Sequence, residues 1–136
     1  GMTYEEKKVW LGRYREAEKK YNRLSERLAE AQTATRRITQ NISAVPGDAG
    51  DGQNLARAVE REEEAERKAY AQLAACDKLF AEIDTVLRQL DDNRNYSILR
   101  RYYLDLQTWE RIADETNYSV RRIYAIRKGC VERLNI

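Results

Sequence analysis

Arg121, Arg122 and Lys128 fall within two helical turns of one another near the C-terminal end of a 136-residue chain. Their types and spacing suit recognition rather than catalysis. Near the start of a helix, an arginine can bond a guanine edge through two hydrogen bonds. Ser119 stands just ahead of them as an N-cap, and a helix N-terminus with free amides suits a phosphate. Tyr124 and Ala125 share the side of the helix opposite the apolar stripe of Ile123, Ile126, Cys130 and Leu134. Arg100, Arg101, Arg111 and Lys128 are candidate contacts to a phosphate backbone, which fix position without reading sequence.

Other chemistry is poorly provided for. The chain has no histidine, so the commonest general base and metal ligand is missing. The two cysteines, Cys76 and Cys130, are isolated on apolar helix faces and read as small buried hydrophobes. No nucleophile, base and orienting group can be assembled. We therefore expect no catalytic residue, no metal, no cofactor and no enzyme activity. No run of about 18 apolar residues suggests a membrane span, and no signal-peptide pattern is seen, so a cytoplasmic location without membrane partners is expected. Gly1, ahead of Met2, reads as an expression scar.

The basic residues need elements to hold them. Residues 95–104 predict a helix with Leu99, Tyr102 and Tyr103 available to a core. Asp105, Leu106 and Gln107 form a turn. Thr108 is a suitable N-cap for a second helix to about Thr116, burying Trp109, Ile112 and Ala113. Asn117 tolerates a left-handed backbone and suits a tight turn. Tyr118 plugs the corner, and Ser119 begins the third helix, in which Gly129 either permits a close approach or weakens the helix end. Two helices crossing at a short turn, the second basic at its start, have the form of a helix-turn-helix. Residues 94–136 hold nine Arg/Lys against five Asp/Glu, while residues 1–93 hold sixteen against eighteen. The positive charge thus gathers on this segment, as nucleic-acid binding requires.

The rest of the chain reads as two long helices. Trp10, Tyr14, Ala17, Tyr21, Leu24, Leu28, Ala31, Thr35, Ile38 and Ile42 alternate four and three residues apart, a heptad seam. Residues 3–44 are expected to form one helix about 60 Å long. Residues 46–53, with three glycines and the only proline, predict a loop. A second seam runs through Leu55, Val59, Glu62, Glu66, Ala69, Leu73, Cys76, Phe80, Ile83, Leu87 and Leu90, on a helix over 54–92. Folding back would set Trp10 against Leu87 and Leu90, Tyr21 against Cys76 and Phe80, and Ile38 against Val59 and Glu62. Glu62 and Glu66 would be the weak patch, near Arg36 and Arg37. Val9, Tyr70 and Leu79 lie outside the seams. The expected fold is all-α: an antiparallel coiled-coil hairpin over 2–93, then a three-helix DNA-binding domain over 94–136. The break at Asp91–Asn95 is expected to separate two independent cores.

Residues 96–134 resemble region 4 of sigma-70-type factors, in the version found in small phage transcription regulators of the ArpU and RinA type. The resemblance rests on Leu99-Arg100-Arg101-Tyr102-Tyr103, Asp105, Thr108-Trp109-Glu110-Arg111-Ile112-Ala113-Asp114 and Asn117-Tyr118-Ser119. Relatives often place glycine in the first turn, where this chain has Asp105-Leu106-Gln107. The resemblance implies a sequence-specific transcription regulator of phage or prophage type, with double-stranded DNA as its partner and RNA polymerase as a second candidate. One recognition helix per chain reads only a half-site, so a homodimer through the hairpin is expected. Two other readings are a DNA-packaging component of the small-terminase kind and a module that binds polymerase without reading DNA.

Overall fold

The computed structural model describes residues 1–44 and 49–136. Among these residues there is no strand, and six helices follow in order: α1 (Tyr4–Leu11), α2 (Arg13–Ala44), α3 (Ala49–Leu87), α4 (Asn93–Tyr103), α5 (Trp109–Thr116) and α6 (Val120–Arg133). The protein is all-α, as expected. No helix of the described residues is long and apolar enough to cross a membrane.

Local chemistry explains most of the boundaries. Thr3 and Glu6 form a capping box at α1, with bonds of 3.3 and 3.1 Å. The expected single helix over 3–44 is interrupted at Gly12. There the Arg13 Nε donates to the Trp10 carbonyl at 2.9 Å, and a side chain entering the ladder is an ordinary cause of a break. A Cβ at Gly12 would lie 3.3 Å from the Lys8 carbonyl, tighter than most side chains accept. Positions 49–53 of the expected loop over 46–53 are helical, because α3 begins at Ala49; positions 46–48 lie outside the described residues. At its other end α3 stops at Leu87 rather than near 92. The Leu90 amide closes a turn onto the Leu87 carbonyl at 3.1 Å, and Asp92 caps α4 by accepting from the Arg94 amide at 2.8 Å.

The chain divides into two compact units, and not at the expected boundary. One unit joins Gly1–Ala17 to Cys76–Ile136; the other is Glu18–Ala75. The reason is a shared core. Leu11 of α1 and Ile83 and Leu87 of α3 are fully buried in the same cluster as Ile98, Leu99, Ile112, Ile123, Val131 and Leu134. Each such aliphatic side chain stabilises the fold by about 1.5–3 kcal/mol relative to exposure. The buried cluster thus runs across Asp91–Asn95, where two independent cores were expected.

Polar clasps in this first unit follow the same plan. Lys7 donates to the carbonyls of Glu132 and Leu134 at 3.0 and 2.7 Å, satisfying acceptors that the end of α6 leaves open. Gln89 exchanges two bonds with the Asn135 backbone, at 3.0 and 2.7 Å. Arg15 donates to the Tyr102 carbonyl at 2.8 Å and lies over the Tyr102 ring. Asp84 accepts from Tyr96 and from Arg88. Burial would raise the Asp84 carboxyl, but those hydrogen bonds, with the charges of Arg88 and Arg100, outweigh it and hold the group below its ordinary value. Phe80, expected against Tyr21, instead meets Tyr14 edge-on with ring centroids 5.4 Å apart.

In the second unit, residues of α2 and α3 line two common clefts. Leu24 and Arg27 share a cleft with Arg61, Ala65 and Lys68, while Ile38 and Asn41 share another with Asn54 and Arg57. Along α3 the expected seam holds in part. Ala69, Cys76, Ile83 and Leu87 are buried as expected, and so is Leu90 beyond its end, but Ala58, outside the seam, is buried too, Val59 is half-buried, and Leu73 and Glu66 are exposed. Glu66 is spared the burial that the expected seam would have imposed.

Candidate nucleic-acid interface

α5 and α6 are set by three local devices. The Thr108 hydroxyl accepts from the Arg111 amide at 3.1 Å and starts α5. Asn117 ends it in the left-handed region, at φ 62° and ψ 20°. Ser119 starts α6 by accepting from the Arg122 amide at 3.1 Å. All three were expected from the sequence. The Ser119 oxygen is thus engaged as an acceptor, while its hydroxyl proton can still donate.

Beneath the turn, Trp109 anchors both helices. It stacks on Tyr102 with centroids 3.9 Å apart, meets Tyr103 and Tyr124 edge-on, and carries the Arg127 guanidinium over its ring at 5.1 Å. Tyr102, Tyr103 and Trp109 are packing residues, as expected. Burial pushes the Tyr103 phenol up to about 12, against a smaller pull from the Arg127 charge. No partner closes a full hydrogen bond on that hydroxyl.

The residues expected to touch DNA divide into two groups. Arg121, Arg122, Tyr124, Ala125 and Lys128 are all exposed on α6, with Ser119 exposed at its cap. Tyr124 keeps 43% of its surface in solvent while its ring edge rests on Trp109. Among the described residues no carboxylate pairs with Arg121, Arg122 or Lys128. The second group is engaged within the protein. Arg101 and Arg111 both bind Glu115, at 2.8 and 2.9 Å. Arg100 bonds the Tyr96 hydroxyl at 3.0 Å and lies between Asp84 and Asp105, at 4.0 and 3.9 Å. These three guanidiniums reach an outside phosphate only by leaving or sharing those partners.

Two residues that sequence reasoning left unassigned lie close by. Arg94, at the start of α4, donates to the Tyr118 hydroxyl. Its guanidinium and that of Arg122 lie 5.8 and 5.7 Å from the centre of the Tyr118 ring. Tyr118 and Arg122 are four apart on the chain, a spacing that could have suggested their contact; nothing local could have suggested Arg94. Arg133 folds back along α6, its Nη2 3.4 Å from the Cys130 sulfur and its Nη1 3.5 Å from where a Cβ at Gly129 would stand. Gly129 thus adjoins the path of Arg133.

Burial pushes the Cys130 thiol up, with Arg133 pulling the other way, so it is a poor nucleophile. Among the described residues no three Cys, Asp or Glu side chains gather closely enough to hold a metal ion. The arrangement offers an exposed, cationic, hydrogen-bond-donating helix face on a packed aromatic support. No protein-family model matches this chain, and no curated protein or solved structure matches it significantly.

Proposed function

We propose that the protein is a sequence-specific DNA-binding transcription regulator of the phage or prophage type, with α5 and α6 acting as a sigma region 4-like helix-turn-helix. One observation carries the reading. Among the described residues the solvent face of α6 presents Arg121, Arg122 and Lys128 without carboxylate partners, directly after the turn capped by Asn117 and Ser119. In this reading Arg121 faces base edges and Lys128 faces the backbone. The test is a mobility-shift measurement on duplexes selected from a genomic pool, at two salt concentrations. Arg121→Ala should cost about 1–3 kcal/mol on the selected site and little on random duplex. Lys128→Ala should weaken both equally. Equal loss on every duplex for Arg121→Ala would remove the readout role.

The long helices are proposed to form the hairpin arm through which two copies pair. Tyr70 is 62% exposed and Leu73 36% exposed on α3, an apolar surface that a four-helix arrangement would cover. Pairing would also place two recognition helices on one particle, as a two-fold operator needs. Sedimentation at micromolar concentration should give twice the 16.0 kDa chain mass. A monomer that still binds its site would leave the arm a different role, such as docking to RNA polymerase.

A further inference from the structure

Arg94 and Arg133 meet Arg122 around one cleft. The cleft, of about 300 Å³, lies between the first turn of α4 and the length of α6, and Tyr118 and Ala125 also line it. The three guanidiniums are steadied by an aromatic ring, a hydroxyl and a thiol rather than by carboxylates. Among the described residues the only acid on its wall is Asp92. That carboxylate is turned to the α4 amides, accepting from Arg94 and Asn95 at 2.8 and 3.4 Å. The cleft therefore keeps a net positive charge and donor groups without matching acceptors.

Guanidinium forks match phosphate oxygens in geometry and charge. The surroundings suit a chain of phosphates better than a single enclosed one. A second cleft, of about 350 Å³, lies on Arg94 and Tyr118 as well and is lined by Arg101, Ser97 and Thr116. Basic and hydroxyl groups therefore extend along one surface past the Tyr118 ring. We propose that Arg94, Arg122 and Arg133 clamp the sugar–phosphate backbone of a bound duplex beside the strand that α6 reads. The proposal rests on the DNA-binding reading and adds a site to it.

The test uses the full chain and compares Arg94→Gln, Arg133→Gln and the double variant with wild type on specific and random duplexes. Affinity should fall by the same factor on both. The slope of log affinity against log salt should become shallower by about 0.9 for each phosphate no longer neutralised. Arg94→Lys should retain most of the slope. Circular dichroism establishes that the variants are folded; should Arg133→Gln lose helical signal, the exposed Arg94 carries the test alone. Folded variants with wild-type affinity and slope would overturn the clamp and leave the DNA reading standing. A wild-type protein that binds no duplex would overturn both. Titration with inorganic phosphate, followed by amide shifts at Tyr118 and Gly129, separates the remaining source. Shifts at millimolar phosphate, with DNA affinity unmoved by the substitutions, would assign the cleft to free phosphate and overturn its role on nucleic acid.

Discussion

Asn117 and Leu106 are the two non-glycine residues with left-handed backbone, at φ 62° and 59° among the described residues. Asparagine tolerates that region better than other side chains, and Asn117 is exposed. Asn117→Gly should leave thermal stability within about 0.5 kcal/mol, while Asn117→Ala should cost about 1 kcal/mol, both read from denaturant midpoints. Leu106, in the turn between α4 and α5, holds a left-handed backbone without glycine's freedom. Tyr103 gives a second test. Its phenol titrates near 12 in the fold and near 10.0 when free. The stability linked to it is complete below pH 10 and is lost as pH rises from 10 to 12, because the unfolded chain ionises first. Tyr103→Phe removes a buried hydroxyl without a full partner, so at pH 7 it should cost nothing or stabilise the fold. It should also flatten the alkaline limb, by about 2 kcal/mol at pH 12. An unchanged limb would mean that Tyr103 ionises freely in the fold.

At the scale of elements, α4, α5 and α6 depend on helices distant in the chain. Leu11, Ile83 and Leu87 fill their core, and Lys7 and Arg15 bond the last carbonyls of α6 and α4. A fragment of residues 94–136 should therefore be largely unfolded by circular dichroism. A cooperative thermal transition in that fragment would contradict the shared core. Within the full chain, Leu11→Ala should cost about 2–5 kcal/mol, the usual range for a buried leucine. What was legible in the sequence was local. Thr108, Asn117 and Ser119 announce their own boundaries, and the exposed face of α6 is the complement of its apolar stripe. What was not legible joins residues far apart. Lys7 looks like any helical lysine, and Arg94 finds Tyr118 only in the folded chain. The α3 seam misled for another reason. Ala58 carries little hydrophobic signal yet is buried, whereas Leu73 carries much and is exposed.

For the whole molecule, the unit bearing the candidate interface is drawn from both extremes of the sequence, Gly1–Ala17 and Cys76–Ile136. The Lys7 to Leu134 bond spans 127 positions. Contacts of such separation require a large loop to close before they stabilise anything, and they slow folding. The consequence is an order in time. While the chain is being synthesised, residues 18–75 can find one another first. The segment 1–17 must wait, with Leu11 uncovered, until α6 has been made. Pulsed hydrogen exchange during refolding should therefore protect amides in 18–75 before those of Ile112, Ile123 and Val131. Simultaneous protection would mean that the two units fold as one. In the expected order, a ribosome-bound chain that has not yet reached Leu134 cannot hold the α6 face in shape, so the proposed recognition surface exists only once residues 120–134 have met Leu11 and Lys7.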